Sequence, residues 1–274
     1  KVKLLEYEVP KKEWPSFPLN YRDLAYPTVL TISQCAEAIN ENLEKKITYR
    51  SLRYCSDFYD AAFQSREQMI HDADFALSGA TAYFFMDNFG SAKVLWKGVN
   101  TDQIMDDAQE CLYEVFSLAF TGITKKNTNC VIVQAIVTFW KDGNKDALLQ
   151  IVNKYRKHIF NSYSPQTWFW GEIVCAVVKV ISDASARILL PMYSALDIKN
   201  WEAYFERKSS INLLWASQRL VGTSKILQGQ NAIVQLPTGV GKTKSIELII
   251  WSMFLAGRGS KALMVAPLRS LCNE

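Results

Sequence analysis

The chain has 274 residues, of which 49% are hydrophobic and 21% are charged, and its net charge is +4. This balance predicts a globular protein that buries a sizeable core in one or two domains. It excludes a low-complexity chain. The mild positive charge is compatible with nucleic-acid binding but does not indicate it, because the basic residues form no dense cluster.

The spacing of the cysteines argues against a zinc-binding protein, and the length of the apolar runs argues against a membrane-spanning one. The six cysteines are scattered without a Cys-x-x-Cys pair, which indicates reduced, mostly buried thiols in a cytoplasmic protein and no zinc site. The longest apolar stretches, residues 130–140 and 173–178, are much shorter than the roughly 20 residues that span a bilayer. We therefore expect a soluble, cytoplasmic protein without a membrane partner.

The first 27 residues contain four prolines with aromatic residues between them. Because proline interrupts helices, residues 1–27 predict an extended arm. Residues 28–209 predict an all-helical domain, since apolar residues recur there at helical spacing. Thr101 is a candidate N-cap for a helix over 101–120. Residues 129–140 favour a helix, although their β-branched content leaves a strand as the alternative.

A long central helix is predicted over residues 166–190. Ser164 is a suitable cap, Pro165 suits the first helical position, and Pro191 is expected to end the helix. Lys179, Asp183 and Arg187 follow one another at i+4 spacing, which predicts an ion-pair stripe along one face.

Tryptophans are frequent near this helix, in segment 168–170 and at Trp201 and Trp215. Such rings can stack on nucleic-acid bases, but packing in a core or an interface is the favoured interpretation in a helical domain.

Residues 235–243 indicate a phosphate-binding loop between an apolar strand, residues 231–236, and a helix that starts near Lys242. Glycine lets backbone N–H groups approach phosphate oxygens, and the helix N-terminus adds partial positive charge. Lys242 can reach the terminal phosphates and the Thr243 hydroxyl can bind Mg²⁺, so both are candidate catalytic residues. The predicted ATP-binding residues are Pro237, Thr238, Gly239, Val240, Gly241, Lys242 and Thr243.

The segment 237–243 resembles motif I of superfamily 2 helicases, in the DEAD/DEAH-box and Ski-like group. This resemblance implies ATP and Mg²⁺ as cofactors and an α/β RecA-like lobe that begins near residue 210. Leu236 departs from the pattern, because the general phosphate loop has glycine at that position.

Two further segments are similar to that family. Gln218 corresponds to the glutamine that reads adenine, a task that suits an amide because it both donates and accepts. The alternative is a solvent-facing helix residue. Residues 261–271 look like a second strand followed by motif Ia, in which Arg269 and Ser270 would contact the phosphates of single-stranded DNA or RNA. For Arg269 the alternative is an ordinary surface arginine.

The predicted fold is thus a mainly α N-terminal domain followed by the start of an α/β RecA-like P-loop domain over residues 210–274. No Asp-Glu motif follows the loop, so we expect the front part of a larger ATP-dependent helicase or translocase, inactive in hydrolysis by itself. A long helical domain before motif I resembles bacterial antiphage-defence helicases of the Hachiman type, which pair a helicase with a nuclease. That resemblance implies docking of a nuclease or other effector. The alternative is an interaction or sensor module coupled to a non-helicase P-loop ATPase.

Overall fold

The structure, a computed structural model, describes residues 21–43, 48–65, 73–122, 130–162, 164–207, 209–236 and 240–263. The chain divides into two compact units, one ending at Asp183 and one beginning at Ala184. We call them the N-terminal unit and the C-terminal unit. The division between the units, after Asp183, falls earlier than the predicted domain boundary between residues 209 and 210. The reason is that residues 186–204 contribute core side chains to the C-terminal unit.

Among the described residues of the N-terminal unit, the regular elements are all helices, which confirms the predicted fold of this region. Its α-helices are α1 (Tyr21–Asn40), α2 (Thr48–Ser65), α3 (Ala73–Phe85), α4 (Phe89–Lys97), α5 (Asp107–Thr121), α6 (Val131–Asp142), α7 (Lys145–Phe160) and α8 (Pro165–Asp183). The segment predicted as helix or strand over 129–140 is helix α6.

Helix α8 lies at the centre of this unit and packs against α1, α3, α5 and α7. Its residues 173–178 are all buried, as expected for a helix covered on every side. The predicted start is confirmed: Pro165 is the first helical residue, and the Ser164 hydroxyl accepts a hydrogen bond from the Thr167 N–H at 3.3 Å.

The predicted end of this helix at residue 190 is wrong. Helix α8 ends at Asp183, because the backbone that follows pairs with a distant segment instead of continuing the helix. Ser185 and Leu213 form an isolated antiparallel bridge, in which the Leu214 N–H donates to the Ala184 carbonyl at 2.8 Å. Pro191, the predicted stop, lies inside the next helix, α9 (Ala186–Ser194).

The ion-pair stripe predicted along this helix is also wrong, since the helix does not extend to Arg187. Each charged group bonds to a different segment. Lys179 donates to the Asn40 carbonyl, Asp183 pairs with Lys145 at 2.6 Å, and Arg187 pairs with Glu202 at 2.9 Å.

Two helices also begin at residues other than those predicted. Helix α1 begins at Tyr21 and contains Pro27, so the extended arm is wrong for residues 21–27, while residues 1–20 lie outside the described part. The predicted Thr101 cap is wrong as well, because Asp106 caps α5 by accepting from the N–H groups of Ala108 and Gln109. Thr101 instead opens a short 3₁₀ turn.

The C-terminal unit contains four described α-helices: α9, α10 (Ile198–Phe205), α11 (Ala216–Thr223) and α12 (Lys242–Leu255). A 3₁₀ turn, Ile226–Gln228, follows α11. The core of this unit is formed by Ala186, Leu189, Leu190, Tyr193, Trp201, Tyr204, Leu214, Val221, Leu227 and Leu248. Trp201 is fully buried and donates to the Ser194 hydroxyl at 3.0 Å, and Trp170 in the other unit is also buried, so both pack in cores as favoured.

The strand predicted over residues 231–236 is absent from the structure. These residues have no regular secondary structure and are largely exposed, with Val234 44% accessible. A strand is stabilised by a neighbouring strand, and the described residues offer none for this segment to pair with. The α/β RecA-like start therefore remains a prediction; of its second predicted strand, only residues 261–263 are described.

Candidate nucleotide-binding site

The predicted phosphate loop ends where helix α12 begins. Gly241 precedes the helix with φ +86° and ψ 34°, a left-handed conformation that favours glycine. Its carbonyl accepts the Ser245 N–H at 3.0 Å and the Ser245 hydroxyl at 3.2 Å, which closes the first helical turn. Lys242 and Thr243 are both exposed on that turn. The N-terminal N–H groups of a helix lack intrahelical partners, so this end can receive an anion.

Helix α11 holds the last residues of the loop. The Ser217 hydroxyl donates to the Val240 carbonyl at 2.6 Å. The neighbouring Gln218 places its side-chain nitrogen 2.9 Å from the point where a Cβ atom on Gly241 would lie. Two consecutive residues of α11 therefore contact two consecutive residues of the loop.

Gln218 is buried, with 4% of its surface exposed, so its interpretation as a solvent-facing residue is wrong. Its side-chain oxygen accepts the Trp215 N–H at 2.8 Å and so satisfies a donor at the start of α11. In this arrangement the amide faces the loop. Its role in reading adenine stays a prediction.

The first half of α12 is anchored through Glu247. This carboxylate accepts from Lys244 at 2.7 Å and from Arg207 at 3.2 Å. The Arg207 guanidinium also lies over the Trp251 ring, with its central carbon 5.2 Å from the ring centre. Lys244 is thus engaged in a pair, whereas Lys242 has no ion-pair partner within the described part of the chain.

The second half of α12 is anchored to the 3₁₀ turn. The Ser252 hydroxyl donates to the Leu227 carbonyl, and Arg258 donates to the same carbonyl at 2.6 Å. Arg258 also bonds the Ser252 hydroxyl at 3.0 Å. These contacts fix the helix that presents Lys242 and Thr243.

The structure brings Gln218 to Gly241 and leaves Lys242 and Thr243 on the adjoining helix turn. Pro237, Thr238 and Gly239 lie outside the described residues, and so do Arg269 and Ser270. Their predicted roles stay predictions. Sequence reasoning missed Ser217, although its position next to Gln218 was a usable signal, and it missed Arg258, which no motif marks.

Comparison with known families identifies the class of this segment. Residues 218–274 match the DEAD/DEAH box helicase family. The predicted resemblance to superfamily 2 helicases is therefore confirmed for this part of the chain. The matched segment begins at Gln218, the residue that contacts the loop.

Three relatives are similar to parts of this chain. The Hachiman protein HamB of Bacillus cereus is 28% identical over 146 residues, which are 51% of this chain and 13% of HamB. The ATP-dependent DNA helicase Hel308 of Pyrococcus horikoshii is 38% identical over 68 residues, 25% of this chain and 9% of that protein. Hel308 of Pyrococcus abyssi is 37% identical over 68 residues. The matched regions thus span only a small part of these relatives. No solved structure matches the chain.

Across the described helices, none combines the length and the apolar character needed to cross a membrane.

Proposed function

We propose that this chain provides the ATP-binding segment of a nucleic-acid helicase or translocase. The observation that carries the proposal is the left-handed Gly241 followed directly by exposed Lys242 and Thr243 at the start of α12, within a segment that matches the DEAD/DEAH box family. The same match favours a helicase over another class of P-loop ATPase.

The described residues fit a magnesium–triphosphate group. Gly241 has no Cβ to fill the space beside Gln218, and the first turn of α12 offers unpaired N–H groups to phosphate oxygens. Lys242 would neutralise charge on the terminal phosphates, and the Thr243 hydroxyl would bind Mg²⁺. When bound, ATP supplies the phosphoryl group whose hydrolysis would drive movement along the strand.

Two further roles belong to this proposal. Arg269 and Ser270 would contact the phosphates of single-stranded DNA or RNA, as their resemblance to motif Ia implies. Gln218 would contact adenine after its amide turns from the loop toward the base. The protein would work in the cytoplasm.

The N-terminal unit would dock a partner protein or regulate the helicase. The 146 residues aligned with HamB outnumber residues 218–274, so the similarity also involves residues before the helicase segment. This extension supports a role in antiviral defence, with a nuclease or other effector as the partner. The docking role itself rests on the resemblance to Hachiman-type systems.

The decisive experiment compares Lys242→Ala with Lys244→Ala. The two lysines lie on the same helix turn, but Lys244 pairs with Glu247. We expect Lys242→Ala to weaken Mg–ATP binding by about 10- to 100-fold, the effect of losing one charge-assisted contact. Lys244→Ala should change it by less than about threefold. Binding is measured with a fluorescent ATP analogue, and hydrolysis in the complete protein with and without single-stranded nucleic acid.

Equal losses from both substitutions would reject the assignment of Lys242 to phosphate binding. Hydrolysis that depends on Lys242 but is unaffected by nucleic acid would instead favour the alternative, a non-helicase ATPase.

A further inference from the structure

Two cysteines of the N-terminal unit lie side by side although 19 positions separate them in the sequence. Cys111 lies on α5 and Cys130 directly precedes α6, and their sulfur atoms are 2.7 Å apart. A disulfide bond needs about 2 Å between the sulfurs, so a small side-chain rotation would bring these thiols within bonding distance. The helicase function proposed above uses neither residue.

Cys130 is placed to carry negative charge. It is the N-cap residue of the 12-residue helix α6 and so lies at the end where the unpaired N–H groups of the helix carry partial positive charge. The hydrogen bond between the two thiols is the largest cause that lowers the pKa of Cys130 to about 7, and the backbone N–H groups of Val133 and Ile132 lower it further. Burial and the nearby Glu114 carboxylate oppose the shift without cancelling it.

Cys111 has the opposite character. It is 5% exposed, and its hydrogen bond to Cys130 together with burial raises its pKa well above the usual value. The Tyr155 hydroxyl is its other hydrogen-bond partner and acts in the opposite direction. The pair therefore combines one thiolate-forming sulfur with one sulfur that keeps its proton, which is the asymmetry of an attacking and a resolving thiol.

The pair also has access to small molecules. Both cysteines line a cavity of about 840 Å³, together with Tyr155, His158 and the acidic residues Asp106, Asp107, Glu110 and Glu114. Cys130 is half-buried, so its sulfur is the more accessible of the two. The acidic lining favours small uncharged oxidants over anionic ones, because like charges repel.

We propose that Cys130 and Cys111 form a reversible thiol–disulfide site that reacts with hydroperoxides. The Cys130 thiolate attacks one peroxide oxygen, the O–O bond breaks, and the departing oxygen takes a proton to leave as water or an alcohol. Cys130 is thereby oxidised to a sulfenic acid. The Cys111 sulfur then attacks the Cys130 sulfur, the S–O bond breaks, and water leaves with the Cys111 proton. The net reaction oxidises two thiols to one disulfide and reduces one peroxide.

The bond would connect α5 to the first turn of α6. These two helices already pack against each other, so the disulfide would lock an existing contact. A cellular thiol could reverse it by exchange at the more accessible Cys130 sulfur.

The test treats the reduced, intact protein with a small excess of hydrogen peroxide, alkylates it under denaturing conditions and maps the peptides by mass spectrometry. We expect one intramolecular link, between the peptides of Cys111 and Cys130, that a dithiol reductant removes. Cys175 is the internal control, because burial raises its pKa to about 12. In the untreated native protein, iodoacetamide at pH 7 should modify Cys130 at least about tenfold faster than Cys175.

Two variants assign the order of the steps. In Cys111→Ser, peroxide should leave a sulfenic acid on Cys130 that dimedone captures; in Cys130→Ser, Cys111 should stay unmodified. If either variant fails to fold, the presence or absence of the Cys111–Cys130 link in the unsubstituted protein still tests the proposal. Absence of the Cys111–Cys130 link after peroxide treatment, or alkylation of Cys130 no faster than of Cys175, would overturn the proposal.

Discussion

The side-chain nitrogen of Gln218 lies 2.9 Å from the position that a Cβ atom would occupy on Gly241. Gln218 is held there because its oxygen accepts the Trp215 N–H. Gly241 is therefore required for two separate reasons, its φ of +86° and this close approach from α11. The two effects can be separated experimentally.

Gly241→Ala should lower the free energy of unfolding by about 2–4 kcal/mol, which combines left-handed backbone strain with the steric contact. Gly257→Ala is the matched control. Gly257 has φ +64° at the other end of the same helix, and no described atom lies within 4 Å of its Cβ position. It should lose only about 1–2 kcal/mol. Urea unfolding measures both, and equal losses would show that Gln218 moves aside freely.

Substitutions of Gln218 should separate its structural contact from its predicted contact with adenine. Gln218→Glu keeps an oxygen for the Trp215 N–H but loses the amide donor, whereas Gln218→Ala loses both. We expect both variants to reduce the preference for ATP over GTP. Only Gln218→Ala should also destabilise the fold, by about 1–2 kcal/mol, because it leaves a donor at the α11 start without its partner.

The measurement pairs competition binding of ATP and GTP with urea unfolding. An unchanged ATP preference in both variants would leave Gln218 with the structural role alone.

Local signals in the sequence predicted much of the fold. Ser164 and Pro165 define the start of α8 because capping involves only neighbouring residues. The end of α8 could not be predicted in this way, since it depends on the pairing of Ser185 with Leu213 across 28 positions. Pro191 is a helix breaker in most contexts, but it lies in the second half of the short helix α9, where it removes one internal hydrogen bond without ending the helix.

In the candidate site, too, features that depend on neighbouring residues were predictable and features that depend on distant segments were not. Glycine, lysine and threonine in order predicted the loop and the start of α12 from local chemistry. The burial of Gln218 was not predictable, because its neighbour Gly241 belongs to a segment more than 20 positions away. A strand over 231–236 was predicted from apolar content, although strand formation depends on a partner that local sequence does not specify.

Arg156 should be the ion-pair residue on which the N-terminal unit depends most. Its Nε donates to both Glu172 oxygens, at 2.7 and 3.0 Å, and its Nη1 donates to Glu41 at 2.6 Å. The Glu172 side chain is only 13% exposed, so losing Arg156 leaves a partly buried carboxylate with less compensation. We expect Arg156→Ala to cost about 2–3 kcal/mol.

Lys145→Ala is the control, because its pair with Asp183 is exposed on both sides and should contribute less than about 1 kcal/mol.

Chemical unfolding at several pH values adds a second readout. The hydrogen bond from Arg156 is the main cause that lowers the pKa of Glu41 below 4.5. That stabilisation is present above pH 4.5 and is lost as the pH falls through the folded pKa, so the deficit of Arg156→Ala should shrink in acid. A deficit no larger than that of Lys145→Ala would contradict the prediction.

The salt dependence of binding should show whether single-stranded nucleic acid contacts the segment around Arg269 or the N-terminal unit. If Arg269 contacts a strand phosphate, Arg269→Ala should weaken single-stranded binding alike for all sequences and reduce the salt slope by about one contact. Arg53 is the control, an exposed arginine of α2 in the N-terminal unit, and Arg53→Ala should leave the slope unchanged. Fluorescence anisotropy at several salt concentrations measures both. A slope that falls with Arg53→Ala and not with Arg269→Ala would place the N-terminal unit, instead of the motif Ia segment, on the nucleic acid.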